Sequence, residues 1–512
     1  MNKLILLFNT VKYLKLKQIY FRLYYFTRAR YRKVSGFKYE FLKGSNSTTL
    51  KLSTSIENKY SNVKNNKFSF LNLSKKFDND IDWNYDKYGK LWTYNLTYFE
   101  YLKEKEDIQL IYDFCEKIED IQDGLEPFPI SLRGLSWIKY LTYHNIKDKK
   151  IDDSLYAQYY ILLDNLEYHL LGNHLLENGF SLLFGAYYFR DERLYKKAVE
   201  ILRVELEEQI LDDGGHFELS PMYHQIMLFR VLDCINLVQN NNYKNQELLE
   251  LLIDKAKLML SWLKNISYEN GDIPLLNDSA NCIAPTSNEL FKYAKLLNVD
   301  CLRVNVKLKE SGYRKIEKER YESVADIGHI GASYIPGHVH ADTFNFELRI
   351  DAKPFIVDSG LSTYETNEIR FEQRSTKAHN SVEILGKDSS EVWGGFRVAN
   401  RANIIELVEN IDHIKATHDG YNKKYGILHT REWFFEDNKL IINDSLTKEC
   451  EAVARLHFHP NILEDEIRER IITRDMKYEI KSYNYACEFN KLQKALVVEI
   501  PFKKELKVEI II

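Results

Sequence analysis

Between residues 97 and 300 the apolar positions recur at intervals of three and four, as in "LYAQYYILLDNLEYHLL", "LYKKAVEILRVELEEQIL", "QIMLFRVLDCINLV" and "ELLELLIDKAKLMLSWLKNI". That period places apolar side chains along one helical face. Polar breaks such as "DDGGHFELSP" and "NGDIPLLNDSA" separate the runs, with Gly, Pro and Asn as stop signals. Helices joined by short connections pack as antiparallel hairpins, which predicts an all-α bundle or toroid. After about residue 320 the period falls to two. "YIPGHVHADTFNFELRI", "PFIVDSG", "NSVEILG", "NIIELVEN", "HIKATHDG", "LHTREWFFEDNKLIINDSL", "EAVARLHFHP" and "KALVVEIPF" read as short strands between turns. Many strands with no helices between them predict an antiparallel β-sandwich. The change falls in the charged stretch at about residues 305–322. Three segments follow: 1–80, a basic helix and an extended segment packed on the helical domain; 81–315, the helical domain; and 316–512, the sandwich.

A chain of 512 residues is too long for one core, in keeping with several domains. It is 45% hydrophobic and 29% charged with a net charge of −4, so whole-chain charge does not mark a nucleic-acid binder. Cys115, Cys234, Cys282, Cys301, Cys450 and Cys487 form no CxxC pair and suggest neither a disulfide framework nor a zinc knuckle. The N-terminal "LILLF" is short, interrupted by lysines and followed by no small-residue cleavage site, so no cleavable signal peptide is expected. Nothing approaches 18 uninterrupted apolar residues, so no transmembrane helix is expected. The N-terminus reads as a basic amphipathic helix, packed on the domain or resting on a membrane surface.

The chemistry-bearing residues fall in clusters. His338 and His340 alternate, so in a strand they share one face. With Asp358 and His379 downstream they make two histidines and a carboxylate, a common zinc set; the plainer reading is a pair of half-buried strand histidines. His457 and His459 repeat the spacing without such followers and read as structural. One obstacle is register. In a simple hairpin turning at Asp351–Ala352, Asp358 lies opposite residue 345, leaving His340 about 16 Å away. Asn173, His174 and Glu177 gather near a helix start, with Asn173 a plausible N-cap. "DGGHFELSPMYHQ" brings His216, Glu218, Tyr223 and His224 together, and Arg370, Arg374 and Lys377 precede His379. Cations there suit an anionic substrate, or are a plain surface charge run.

"HVHADTFNFEL … PFIVDSGLSTY … RSTKAHNSVEI", with "NHLLENG", "DGGHFELSPMYH" and "EPFPISLRGLSW", resembles the heparinase II/III family of polysaccharide lyases over most of the chain. "LWTYNLTYFEYL" is most similar to members encoded with bacterial surface-polysaccharide machinery. The resemblance implies an incomplete (α/α) toroid followed by an antiparallel β-sandwich, with a catalytic cleft between them. It implies one largely structural zinc on His340, Asp358 and His379, and His338 facing the substrate. Asn173 or His174 would contact the substrate carboxylate, and Tyr223 would be the catalytic tyrosine. Glu177, Arg370, Arg374 and His224 are further candidates for binding an anionic polysaccharide. As a base, the Tyr223 phenol would need its pKa lowered by nearby positive charge. The implied reaction is β-elimination on uronate-containing chains, linked to capsule or lipopolysaccharide metabolism. The family points to periplasm or cell envelope; the missing signal peptide points to the cytoplasm. Two alternatives stand beside it: a metal-stabilised polysaccharide-binding partner with little or no lyase activity, and glycoside hydrolysis by Glu177 and Glu218.

Overall fold

Helices α1 (Lys3–Val11) and α2 (Leu16–Ser35) open the chain in the computed structural model, which describes residues 3–39, 47–78, 80–244, 247–302, 307–474 and 476–512. The next segment was expected to be merely extended. It instead folds into a three-stranded antiparallel sheet of β1 (Asn62–Lys64), β2 (Lys67–Phe70) and β3 (Leu73–Lys76). Its turns, Asn65–Asn66 and Leu71–Asn72, are two-residue connections with positive φ at both positions, the backbone that a tight hairpin requires.

Among the described residues nine α-helices follow: α3 (Lys90–Tyr98), α4 (Ile108–Glu116), α5 (Pro127–Tyr143), α6 (Lys149–Asp164), α7 (Gly172–Phe189), α8 (Glu192–Gln209), α9 (Pro221–Asn240), α10 (Glu247–Ile266) and α11 (Ser287–Leu296). They build the incomplete toroid around one core that joins Trp92, Trp137, Phe184, Leu232 and Trp262. α7 lies inside it, because "GFSLLFGAYYF" offers no polar face. Small residues set its neighbours' approach. A Cβ at Gly179 would lie 2.8 Å from Ile201 of α8, and one at Gly185 2.7 Å from the Tyr159 ring of α6.

The sandwich begins with a sheet of β4 (Tyr313–Glu317), β5 (Tyr321–Asp326), β6 (Phe346–Ile350) and β7 (Lys353–Ile356) in sequence order. A six-stranded antiparallel sheet carries the four strands from Ile404 to Leu446 with Glu505–Ile511 and the short Ile471–Ile472. A four-stranded sheet contains β8 (Val382–Ile384) beside Ala452–His457 and the hairpin Glu479–Glu488/Lys491–Phe502. Phe346, Val382, Trp433, Leu456, Val498 and Ile510 form one core among these sheets.

The β6–β7 hairpin turns at Asp351–Ala352 as expected, both residues left-handed. Its register then slips: Arg349 faces Pro354, but Leu348 faces Ile356. Upstream, the expected strand through "HVHADTFN" does not form, and residues 327–345 are irregular. Their backbone groups bond to distant segments rather than to a ladder: His340 N donates to Asn277 Oδ1 (3.0 Å) and Ala341 N to Arg374 O (2.9 Å). His338 and His340 therefore share no strand face. Free of the pleat, the chain folds back, and His340 reaches the Asp358 region that a straight strand could not.

Candidate active site

Four short backbone segments are tied into one cluster. α7 starts from Leu171 and Gly172, both left-handed. Asn173 is not the N-cap but the second residue of the helix; its main-chain N–H and side-chain amide both donate to Glu218 (3.0 and 2.9 Å), so Glu218 caps α7 from another loop. At α9 the sequence "SPMY" supplies an N-cap and an N1 proline. Ser220 Oγ accepts from Tyr223 N (3.2 Å), fixing that tyrosine in the first turn. The same hydroxyl donates to Asp278 O (2.8 Å), and Asn277 Nδ2 donates to Leu219 O (3.1 Å). The loop 277–278 is thereby held against both helix starts.

Asp278 is the hub. It accepts from His338 Nδ1 (2.9 Å), His340 Nε2 (2.8 Å) and both terminal nitrogens of Arg370, the second at 2.7 Å. Burial works to raise its pKa, but Arg370 and the two imidazoles hold it well below the usual carboxylate range. With Nδ1 committed to Asp278, His338 turns Nε2 toward Asn173 Nδ2 (3.4 Å) and Glu218 Oε2 (3.5 Å). The Tyr223 ring lies 3.9 Å from the His338 ring, and its hydroxyl is 3.2 Å from that of Tyr364. Burial pushes the Tyr223 phenol well up, opposed by the Tyr364 hydroxyl, while Asp278 and Glu218 add to the rise. The lowering expected from nearby positive charge does not prevail in the ligand-free site, so the phenol is held protonated.

Of these groups Asn173, Tyr223 and Tyr364 line an open cleft between the toroid and the sandwich, with His338 packed behind the Tyr223 ring. Asn173, Glu177, Tyr223 and Arg230 line it from one side, Tyr364 and Phe489 from the other, and residues 56–61 along an edge. Glu177 is buried and accepts from Arg230 Nε (3.1 Å), whose terminal nitrogen reaches Glu100 (3.0 Å). Asn173, Tyr223, His338 and Glu177 therefore come together as expected.

The other candidates stand differently. His174 turns away to Glu167 (3.0 Å) and packs its ring on Phe128, leaving Asn173 as the amide beside His338. His224 does not reach the cleft: it is buried against Trp262, donates to Met259 O (3.0 Å) and accepts from His216 N (3.3 Å). Arg370 is fully buried on Asp278. Arg374 is buried on the carbonyls of Val339, Gly394 and Gly395. Neither guanidinium is offered to a ligand; both hold the loops.

His379 Nδ1 donates to Asp358 Oδ2 (2.7 Å), and the His340 and His379 rings are 5.2 Å apart. Asn345 sits by Asp358 as the simple hairpin expects, its amide donating to Asp358 and its side-chain oxygen accepting from Asn380 N, and His379 stands between Asp358 and the His340 ring. Burial favours neutral imidazoles: it pushes His340 down to about 4, whereas at His379 the Asp358 carboxylate prevails over burial and raises the pKa. His340 Nδ1, His379 Nε2 and Asp342 Oδ2 are buried without a hydrogen-bond partner among the described residues. Among those residues no group of three or more His, Cys, Asp or Glu side chains is already arranged to hold a metal ion. The donor types, two imidazoles with an unpartnered nitrogen beside buried carboxylates, nevertheless fit zinc.

Sequence reading missed Asp278 and Tyr364 and gave Glu218 no part in placing Asn173. The one available signal for Asp278 was an acid in the apolar-flanked break "PLLNDSA".

Sequence models of the heparinase II/III N-terminus and of the heparinase II/III-like C-terminal region match residues 153–298 and 303–494. The heparin-sulfate lyase of Bacteroides stercoris is 22% identical over 319 residues, 57% of this chain and 46% of that protein. The heparin-sulfate lyase of Pedobacter heparinus is 24% identical over 324 residues, 57% and 47% of the two chains. The chain thus spans about half the length of the curated relatives it matches. A crystal structure of heparinase III superposes with a TM-score of 0.63 at 15% identity, covering 85% of this chain and 80% of that one, which shows a common fold.

Proposed function

The chain belongs to the heparinase II/III-like family, and on that premise we propose that it cleaves uronate-containing polysaccharides by β-elimination in the cleft between toroid and sandwich. The observation that carries this reading is the convergence on His338 of Asn173 and Tyr223, which line the cleft, with His338 oriented by Asp278. Asn173 Nδ2 spends one hydrogen on Glu218 and turns the other toward His338 Nε2 (3.4 Å); substrate would take over that second hydrogen with its uronate carboxylate, where negative charge grows as the C5 proton leaves. With Nδ1–H on Asp278, His338 presents Nε2 as the base that takes that proton. The electron pair forms the C4–C5 double bond, and the C4–O4 bond breaks. Tyr223, held protonated by burial, gives its proton to O4. The Tyr364 hydroxyl, which works to lower the Tyr223 pKa, donates to the phenolate that forms. Water then carries the proton from the His338 imidazolium to the Tyr223 phenolate, which restores both groups.

Zinc is part of the same proposal, held by His340, Asp358 and His379. When bound it would supply a fixed anchor for the loop that carries His338, not an activated water. The buried, unpartnered nitrogens of His340 and His379 support it. The resemblance of "LWTYNLTYFEYL", which forms α3 and the turn after it, to surface-polysaccharide members supports a substrate from capsule or lipopolysaccharide metabolism.

Incubation with uronate polymers should produce the ultraviolet absorbance of the unsaturated uronate. Tyr223→Phe should fold and bind but lose turnover by about 100-fold or more; retained turnover would remove Tyr223 from the mechanism. A chain that binds one polymer tightly and cleaves none is a binding partner, not a lyase. Metal analysis should find one zinc per chain, absent from His379→Ala, and normal zinc in that variant would sink the ligand assignment.

A further inference from the structure

Helix α2 is built inside out. The residues facing the body of the protein, Gln18, Phe21, Tyr25, Arg28 and Arg32, recur at three and four, and they are polar or aromatic. Gln18 donates to Leu170 O (3.0 Å), Tyr25 to Leu166 O and Arg28 to Asp164 O (2.7 Å), while Phe21 stacks on Tyr168 at 4.7 Å. At 100° per residue the opposite line carries Leu16, Tyr20, Leu23, Tyr31 and Val34. Those side chains point to solvent: Leu16 is 84% exposed, Leu23 62% and Val34 89%. α1 continues the pattern, with Phe8 72% and Ile5 52% exposed while Asn9 is buried and Thr10 accepts from Trp393 Nε1 (3.0 Å). A water-soluble helix puts its apolar stripe inward; this pair puts it outward.

Charge says what covers it. Residues 3–39 hold ten of the chain's 71 Lys and Arg and none of its 75 Asp and Glu. Arg30 and Lys33 flank the outward stripe and have no carboxylate partner among the described residues. We propose that α1 and α2 dock the protein, side-on, to an anionic lipid bilayer, with the apolar stripe in the acyl boundary and the flanking cations among the phosphates. A polyanion such as nucleic acid or the substrate would use the cations but leave Phe8, Leu16, Leu23 and Val34 in water. A second copy packed by two-fold symmetry would bring the cations that flank the stripe, Arg30 and Lys33 among them, against their own like charges. Only a surface that is apolar beneath and anionic above answers both features. No helix among the described residues is long and apolar enough to cross a membrane, so the contact is peripheral. The proposal is independent of the lyase reading.

The test is co-sedimentation of the full chain with phosphatidylcholine vesicles, with and without phosphatidylglycerol. Binding is expected only to the anionic vesicles, weakening as salt is added, and Leu23→Trp should shift its emission to the blue on binding. The variant L16E/L23E/V34E, altered only at exposed positions, should keep the wild-type melting temperature and polymer cleavage while its vesicle affinity falls by about tenfold or more. The proposal fails if the wild type stays in the supernatant, if neutral vesicles bind it equally, or if the triple variant binds as well as the wild type. It fails equally if the triple variant merely splits a wild-type dimer that ignores vesicles.

Discussion

At the scale of single residues the site turns on Asp278. Its carboxylate takes four donors from three side chains, so it sets the tautomer of His338, braces His340 and neutralises a buried guanidinium. Asp278→Asn has nearly the same shape but presents one acceptor and one donor where two acceptors are needed. His338 loses the partner that holds its proton on Nδ1, and Arg370 is left with its charge unpaired in the interior. The first effect should lower kcat by about 10²- to 10⁴-fold with KM little changed. The second should cost about 3–5 kcal/mol of stability. The two are separable: in D278N/R370Q the unpaired charge is gone, so the melting temperature should largely recover while kcat stays low. Recovery of both would make Asp278 a structural residue alone.

At the scale of elements, most of what has a period was legible and most of what lacks one was not. The runs "PFIVD", "NSVEILG", "NIIELVEN", "HIKATH" and "KALVVEIPF" all contain strands, because alternation is imposed locally by the pleat. "HVHADTFN" alternates too, but its hydrogen bonds go to Asn277 and Arg374, and long-range bonds leave no mark on a local pattern. "SPMYH" was readable as a helix start, and one step further it excluded His224. Neighbours on a helix point about 100° apart, so the turn that aims Tyr223 at the cleft aims His224 into the core. That burial has a consequence. The His224 ring donates from Nε2 and accepts at Nδ1, which only the neutral form does, and burial pushes its pKa down to about 3. The unfolded chain protonates this imidazole near its ordinary value of about 6.5 and the folded one does not. Stability is therefore lost as pH falls below about 6.5, by about 1.4 kcal/mol per pH unit until the folded pKa is reached. Denaturant melts at pH 7 and pH 5 should show this slope reduced in His224→Gln relative to the wild type; an unchanged slope would mean that the ring is already charged in the fold.

At the scale of the molecule, the cleft's charge limits what can lie in it. The guanidiniums of Arg370 and Arg374 are consumed, on Asp278 and on main-chain carbonyls. Along the cleft, among the described residues, Glu57, Glu100, Glu177 and Glu289 meet three cations that are already paired: Lys103 with Glu57, Lys59 with Glu289, and Arg230 with Glu177 and Glu100. Much of the remaining lining is apolar, including Leu71, Leu91, Phe128, Met222, Ile226 and Phe489, which suits the flat faces of sugar rings. Such a groove receives one carboxylate at Asn173 and repels a dense row of anions, because closely spaced like charges at low dielectric cost more than sugar packing returns. If the proposed elimination takes place in this groove, the polymer expected to react best is an unsulfated uronate chain with neutral residues between the acids. On paired substrates differing only in sulfation, kcat/KM at low salt should favour the unsulfated polymer by about tenfold or more. Added salt should narrow the gap by raising the rate on the sulfated one, since screening weakens repulsion beyond about 10 Å. A faster reaction on the sulfated polymer at low salt would overturn this account of specificity while leaving the elimination chemistry standing; no reaction on either would remove the chemistry itself.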